Sequence, residues 1–141
     1  MIRLFYATDV HGSDVVFRKF VNAGKFYKAD VVILDGDLTG KAIVPVVEKP
    51  GRTYEASFLG EKHIVEERQL NDLQDKISNL GFYPFPTSED DLQSLKAQPD
   101  KVHDLFNEMM IKRMREWVQL IEQNLKGSRI KCYVLPGNDD R

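Results

Sequence analysis

The sequence predicts an α/β domain with parallel core strands and flanking helices. Three observations carry that prediction. Residues 2–7, 31–34 and 130–135 are short apolar runs, each followed by a polar, glycine-containing turn, and they read as buried strands. The first two are separated by one amphipathic helical stripe, so strand, helix and strand fit within about 35 residues, as in a right-handed βαβ unit with parallel strands. The chain is 141 residues long, which fits one domain over 1–141. At its mass, roughly 7,500 Å² of folded surface would replace roughly 23,600 Å² unfolded, enough burial for a real core.

Taken in order, residues 2–7 break at Asp9 and Gly12. Ser13 caps a helix with the stripe Val16, Phe17, Phe20 and Val21, ending near Gly24. Asp30 leads into Val31-Val32-Ile33-Leu34, rich in β-branched residues, and Gly36 ends that strand. Residues 42–47 and 53–59 read as a hairpin around Lys49-Pro50-Gly51-Arg52, where Pro and Gly suit a type II turn. Tyr54, Ala56 and Phe58 alternate with Glu55 and Ser57, so one face is wet, and Pro45 assigns its run to an edge. Leu70, Leu73, Ile77 and Leu80 mark a helix stopped by Gly81. A Phe82-Tyr83-Pro84-Phe85-Pro86 loop and a short helix start at Thr87-Ser88-Glu89-Asp90 follow. The longest helix spans 101–126, capped by Asp100 and closed by Gly127. Its stripe is Val102, Leu105, Phe106, Met109, Arg113, Trp117, Ile121 and Leu125. Met and Trp at that spacing read as core.

Hydrophobic residues make up 42% and charged residues 30%, which excludes a disordered tail and a membrane protein. The net charge of -2 argues against nonspecific binding to nucleic acid or anionic membrane. The single Cys132 cannot form an intramolecular disulfide, and a cytoplasmic setting is favoured. No apolar run approaches the length of a signal core or a membrane span.

The strand ends read Asp9-Val10-His11-Gly12, Asp35-Gly36-Asp37-Leu38-Thr39-Gly40 and Gly137-Asn138-Asp139-Asp140. Positions just past the carboxyl ends of parallel strands are where such sheets place ligands. Carboxylate, imidazole and amide oxygen are donors that hard and borderline divalent ions accept. Each turn alone is ordinary turn chemistry; three after three apolar runs point to a metal or phosphate site.

Asp9-x-His11, Gly36-Asp37-x-x-Gly40 and Gly137-Asn138 resemble the first three motifs of the calcineurin-like metallophosphoesterase family, in the family's order. The resemblance covers residues 1–40 and 128–141. It implies a partial α/β sandwich, with a hairpin-plus-helix insertion at about 41–126. It implies two divalent metal ions, of Mn, Fe, Zn or Mg type: Asp9 and His11 bind the first, Asp37 bridges both, and Asn138 binds the second. The implied activity is hydrolysis of phosphate mono- or diesters by a metal-bridging hydroxide. The substrate would be a small phosphoester or a nucleotide.

Two departures stand out. Asp139 occupies the place where family members commonly carry a His that assists the leaving group. It would join Asn138 as a catalytic residue only with a raised pKa. No later histidine motif follows Arg141, so the chain reads as the N-terminal half of a phosphoesterase domain with an incomplete second metal shell. His63 and His103 read as solvated surface residues, and the insertion reads either as a lid over the site or as packing against the sheet. A competing reading takes Asp35-Gly36-Asp37-Leu38-Thr39 as the nucleophile turn of a haloacid-dehalogenase-like phosphatase. Asp35 would then form the aspartyl-phosphate with magnesium, which leaves Asp9-x-His11 unexplained. A non-enzymatic reading is a half-domain that associates, as a homo-oligomer or with a partner, through exposed sheet surface.

Overall fold

The computed structural model describes residues 1–138 and 140. The chain is mixed α/β. Strands β1 (Leu4–Thr8), β2 (Val31–Asp35) and β7 (Lys131–Leu135) form a parallel sheet in the order β1-β2-β7, with Tyr6 opposite Ile33 and Ile33 opposite Tyr133. Helix α1 (Asp14–Phe26) connects the first two strands. Strands β3 (Ile43–Lys49), β4 (Thr53–Phe58), β5 (Glu61–Glu66) and β6 (Tyr83–Thr87) form a second sheet in the order β5-β4-β3-β6. Helices α2 (Leu70–Asn79), α3 (Glu89–Lys96) and α4 (Pro99–Leu125), with a single 3-10 turn at Glu67–Gln69 leading into α2, complete the described elements. No helix among the described residues is long and apolar enough to cross a membrane.

Each sheet builds its own core. Phe17, Phe20 and Val21 of α1 pack with Val32, Leu34 and Trp117 against the parallel sheet. Val44, Val46, Ala56 and Phe58 pack with Leu73 and Ile77 of α2 in the other. Each of the buried Val, Leu, Ile and Phe side chains contributes about 1.5–3 kcal/mol by leaving water. Helix α1 begins where Ser13 Oγ accepts the Val16 N–H, but it runs on past Gly24. At Gly24 the missing Cβ leaves room for Val32 and Ile130.

Several expectations need correction. Only β2 is buried as predicted, with Val32 and Leu34 fully enclosed. Strand β1 exposes one face, with Leu4 57% and Tyr6 53% accessible, and β7 is covered only at Cys132, with Tyr133 51%, Val134 43% and Leu135 47% accessible. The helices cover the other face, toward which Phe5, Val32 and Cys132 point. The open face contributes to a total surface of 9289 Å², above the roughly 7,500 Å² that chain mass alone suggests.

Strand β3 is internal, not an edge. Its antiparallel register with β4 involves only Val47, Glu48 and Lys49, so Pro45 needs no N–H toward β4. The segment read as a loop at 82–86 is instead strand β6, parallel to β3. Tyr83 N–H donates toward the β3 side, to the Ala42 carbonyl. Alternation therefore turns the nitrogens of Pro84 and Pro86 to the sheet's open edge, where a missing donor costs nothing. Helix α4 is capped at Gln98 with Pro99 in its first turn, so Asp100 lies inside the helix. Val16 and Val102 are exposed despite their place in the predicted stripes. His63 is half-buried and stacked on Phe58, not a solvated surface residue.

Candidate metal centre

The ends of β1 and β2 are joined through their turns. Asp9 N–H donates to the Gly36 carbonyl at 3.3 Å, His11 N–H to Asp37 at 2.7 Å, and Gly12 N–H to Leu38 at 2.8 Å. This zipper forces the two turns together, and with them three side chains. Ligand-capable atoms of Asp9, His11 and Asp37 all lie within 4.8 Å of one another, with Asp9 exposed and the other two half-buried. Thr8 Oγ1 donates to Asp9 Oδ2 at 2.8 Å and helps orient that carboxylate.

The backbone at these positions is strained. Asp9, His11 and Asp37 have φ of 58°, 47° and 47°. Asp and His tolerate the left-handed region better than most residues, yet each pays a conformational penalty there. Three non-glycine residues of one cluster share it.

The third turn closes over the second. The Asp140 carboxylate accepts the N–H groups of Leu38 at 2.7 Å and Thr39 at 2.9 Å through Oδ1, and that of Gly137 at 2.8 Å through Oδ2. Burial alone would raise this carboxyl's pKa, but the three backbone donors together with the Thr39 side chain outweigh it and hold it below the ordinary value. Gly137 lies so close to Asp37 that an added Cβ would overlap the Asp37 backbone nitrogen and crowd its Oδ1. Asn138 lines the same cleft as His11. The expectation placed on Asp139 lies outside the described residues.

Asp35, the competing nucleophile, ends β2 opposite Thr8 and Leu135. Its Oδ2 accepts the Tyr6 hydroxyl at 2.7 Å, and that bond, more than the lesser effects of burial and of the Asp35 and Asp9 charges, raises the phenol's pKa. It is not part of the Asp9, His11 and Asp37 cluster.

The 41–126 segment is anchored to the site by residues the sequence did not single out for that role. Arg113 of α4 is 7% accessible. Its Nη1 donates to the carbonyls of Gly12 and Phe82, both at 2.9 Å, and its Nη2 to Ser78 Oγ at 2.9 Å. Its guanidinium lies 4.6 Å from the centre of the Tyr83 ring. The Tyr83 hydroxyl accepts the Gly40 N–H at 2.7 Å. Trp117 stacks on Phe17 at 4.0 Å and donates to Asp14 Oδ1 at 2.6 Å. These contacts make the middle of α4 packing, while its first turns border the cleft beside His11. An arginine within an apolar helical stripe was the one available signal.

Comparison of the chain with protein-family models, with curated proteins and with solved structures finds no match. The fold and the site therefore define the chain as an α/β protein with a carboxylate–imidazole–carboxylate cluster at the ends of two parallel strands.

Proposed function

We propose that the chain carries the first half of a metal-dependent phosphoesterase site of the calcineurin-like type. The observation that carries this reading is the Asp9, His11 and Asp37 cluster, assembled across two strand ends within 4.8 Å and held at positive φ. Two carboxylates and an imidazole suit a divalent ion chemically: their two formal negative charges offset its charge, and oxygen and nitrogen donors match Mn, Fe or Zn. Asp9 and His11 would hold the ion with Asp37, and Asn138 would add an amide oxygen toward a second position. A bound divalent ion would stabilise charge on phosphoryl oxygens and make hydroxide available near neutral pH.

This chain's own residues fix that arrangement. The three backbone bonds between the first two turns set the spacing of Asp9, His11 and Asp37. The Asp140 carboxylate ties the third turn to the second, so Asn138 and Asp37 sit on connected backbone. The Tyr6 contact supports Asp35 as a turn residue and not as a covalent nucleophile. Mn²⁺-dependent hydrolysis of bis(p-nitrophenyl) phosphate tests the reading. Any turnover should require Mn²⁺, survive Asp35→Asn and disappear in Asp9→Asn and Asp37→Asn. Turnover that depends on Asp35 and ignores Asp9 would favour the aspartyl-phosphate route.

A further inference from the structure

The cleft beside the cluster encloses about 810 Å³, within the range of sites for small organic molecules. His11 and Asn138 lie on one side of it, and Val102, His103, Phe106 and Asn107 of α4 on another. The four α4 residues are spaced one and four apart and so share one helix face. We propose that this face binds the planar base of a nucleoside phosphate whose phosphoryl group lies at Asp9, His11 and Asp37, an inference that rests on the phosphoesterase reading.

The chemistry of the wall matches such a ligand. A base has apolar faces and a polar edge. Val102 and Phe106 supply apolar surface, and the Phe106 ring is fixed edge-on against Tyr83 at 5.4 Å. Asn107 Nδ2 meets His103 Nδ1 at 3.0 Å. That contact takes one amide N–H. The second N–H and the carbonyl oxygen form the paired donor and acceptor with which Asn reads a base edge. Lys41 lines the same cleft, and its ammonium sits 5.8 Å over the Phe82 ring. A lysine among the lining residues favours an anionic ligand. The wall is also registered to the cluster, because Tyr83, which holds Phe106, accepts the Gly40 N–H beyond the Asp37 turn.

Calorimetric binding of AMP and of ribose phosphate to the full chain, with and without Mn²⁺, tests the proposal. AMP should bind about tenfold more tightly than ribose phosphate, the size of one good base-stacking contact. Asn107→Ala and Phe106→Leu should each shrink that preference while leaving Mn²⁺ affinity unchanged. The conservative Leu keeps apolar volume, and the Asn107 variant keeps the Tyr83 contact, so misfolding of one leaves the other informative. Equal affinities in the unsubstituted chain, or a preference unchanged in both variants, would overturn the base-binding wall. The phosphoesterase reading fails separately, when sugar-phosphate binding ignores Mn²⁺. In that case Asn107-dependent binding of adenosine would still uphold the wall, and its absence would overturn it.

Discussion

Replacing Arg113 with Met keeps an unbranched apolar stem but removes the guanidinium, with its hydrogen bonds and its stacking on the Tyr83 ring. The Gly12 and Phe82 carbonyls each lose their 2.9 Å donor. A buried acceptor left unpaired costs about 1–3 kcal/mol. Asp14 keeps its bond from Trp117, so the variant leaves no isolated buried charge. Two stranded carbonyls therefore set the cost at about 2–6 kcal/mol. Domains of this kind have about 5–15 kcal/mol in total, so the variant should be marginal but foldable. Urea unfolding followed by far-UV circular dichroism reads the change, with the m-value held constant as the check that only stability moved. Arg113→Lys, which keeps the charge and reaches fewer acceptors, should fall between. A loss below about 1 kcal/mol in the Met variant would refute the claim that this side chain holds the 41–126 segment to the His11 turn.

The remaining predictions address the turns. Gly137→Ala should abolish Mn²⁺ binding in a chain that still folds, because its Cβ would displace the Asp37 backbone and carboxylate; calorimetry with a circular dichroism control reads both. Asp140→Ala should cost about 2 kcal/mol by stranding backbone donors of Leu38, Thr39 and Gly137, and should weaken Mn²⁺ binding about tenfold by loosening the Asp37 turn. The Tyr6 phenol has a folded pKa raised first by its bond to Asp35. Its contribution is thus intact below the unfolded value of about 10 and lost as pH rises through the folded one. Ultraviolet titration should show that ionisation moving down in Asp35→Asn, and an unmoved curve would mean the bond is not formed in solution.

The parts of the site legible in the sequence were those with local chemistry. Asp9, His11 and Asp37 follow apolar runs and precede glycines, so their placement at strand ends could be read from spacing. The parts that were not legible depend on partners distant in the chain. Strand β5 carries Glu61, Lys62, His63 and Glu66, charges that hide its pairing with β4. Strand β6 carries two prolines and becomes a strand only because its edge position excuses them. Exposure of Tyr6 and Tyr133 follows from which face the helices cover, and no local pattern encodes that. Asp140 resembles any turn aspartate until the backbone amides of residues 38 and 39 are brought to it.

Titration of the chain with Mn²⁺ by calorimetry tests the central claim most directly. Asp9, His11 and Asp37 should supply one tight position, whereas Asp37 and Asn138 alone would leave a second to water, with little of the repulsion between two cations offset. His103, which borders the cleft, could supply an imidazole only by moving toward the cluster, and His63 is held in the other sheet against Phe58. The account predicts one tight Mn²⁺ per chain, lost in Asp37→Asn and retained in Asp35→Asn. No tight binding, or binding untouched by Asp37→Asn, would contradict it.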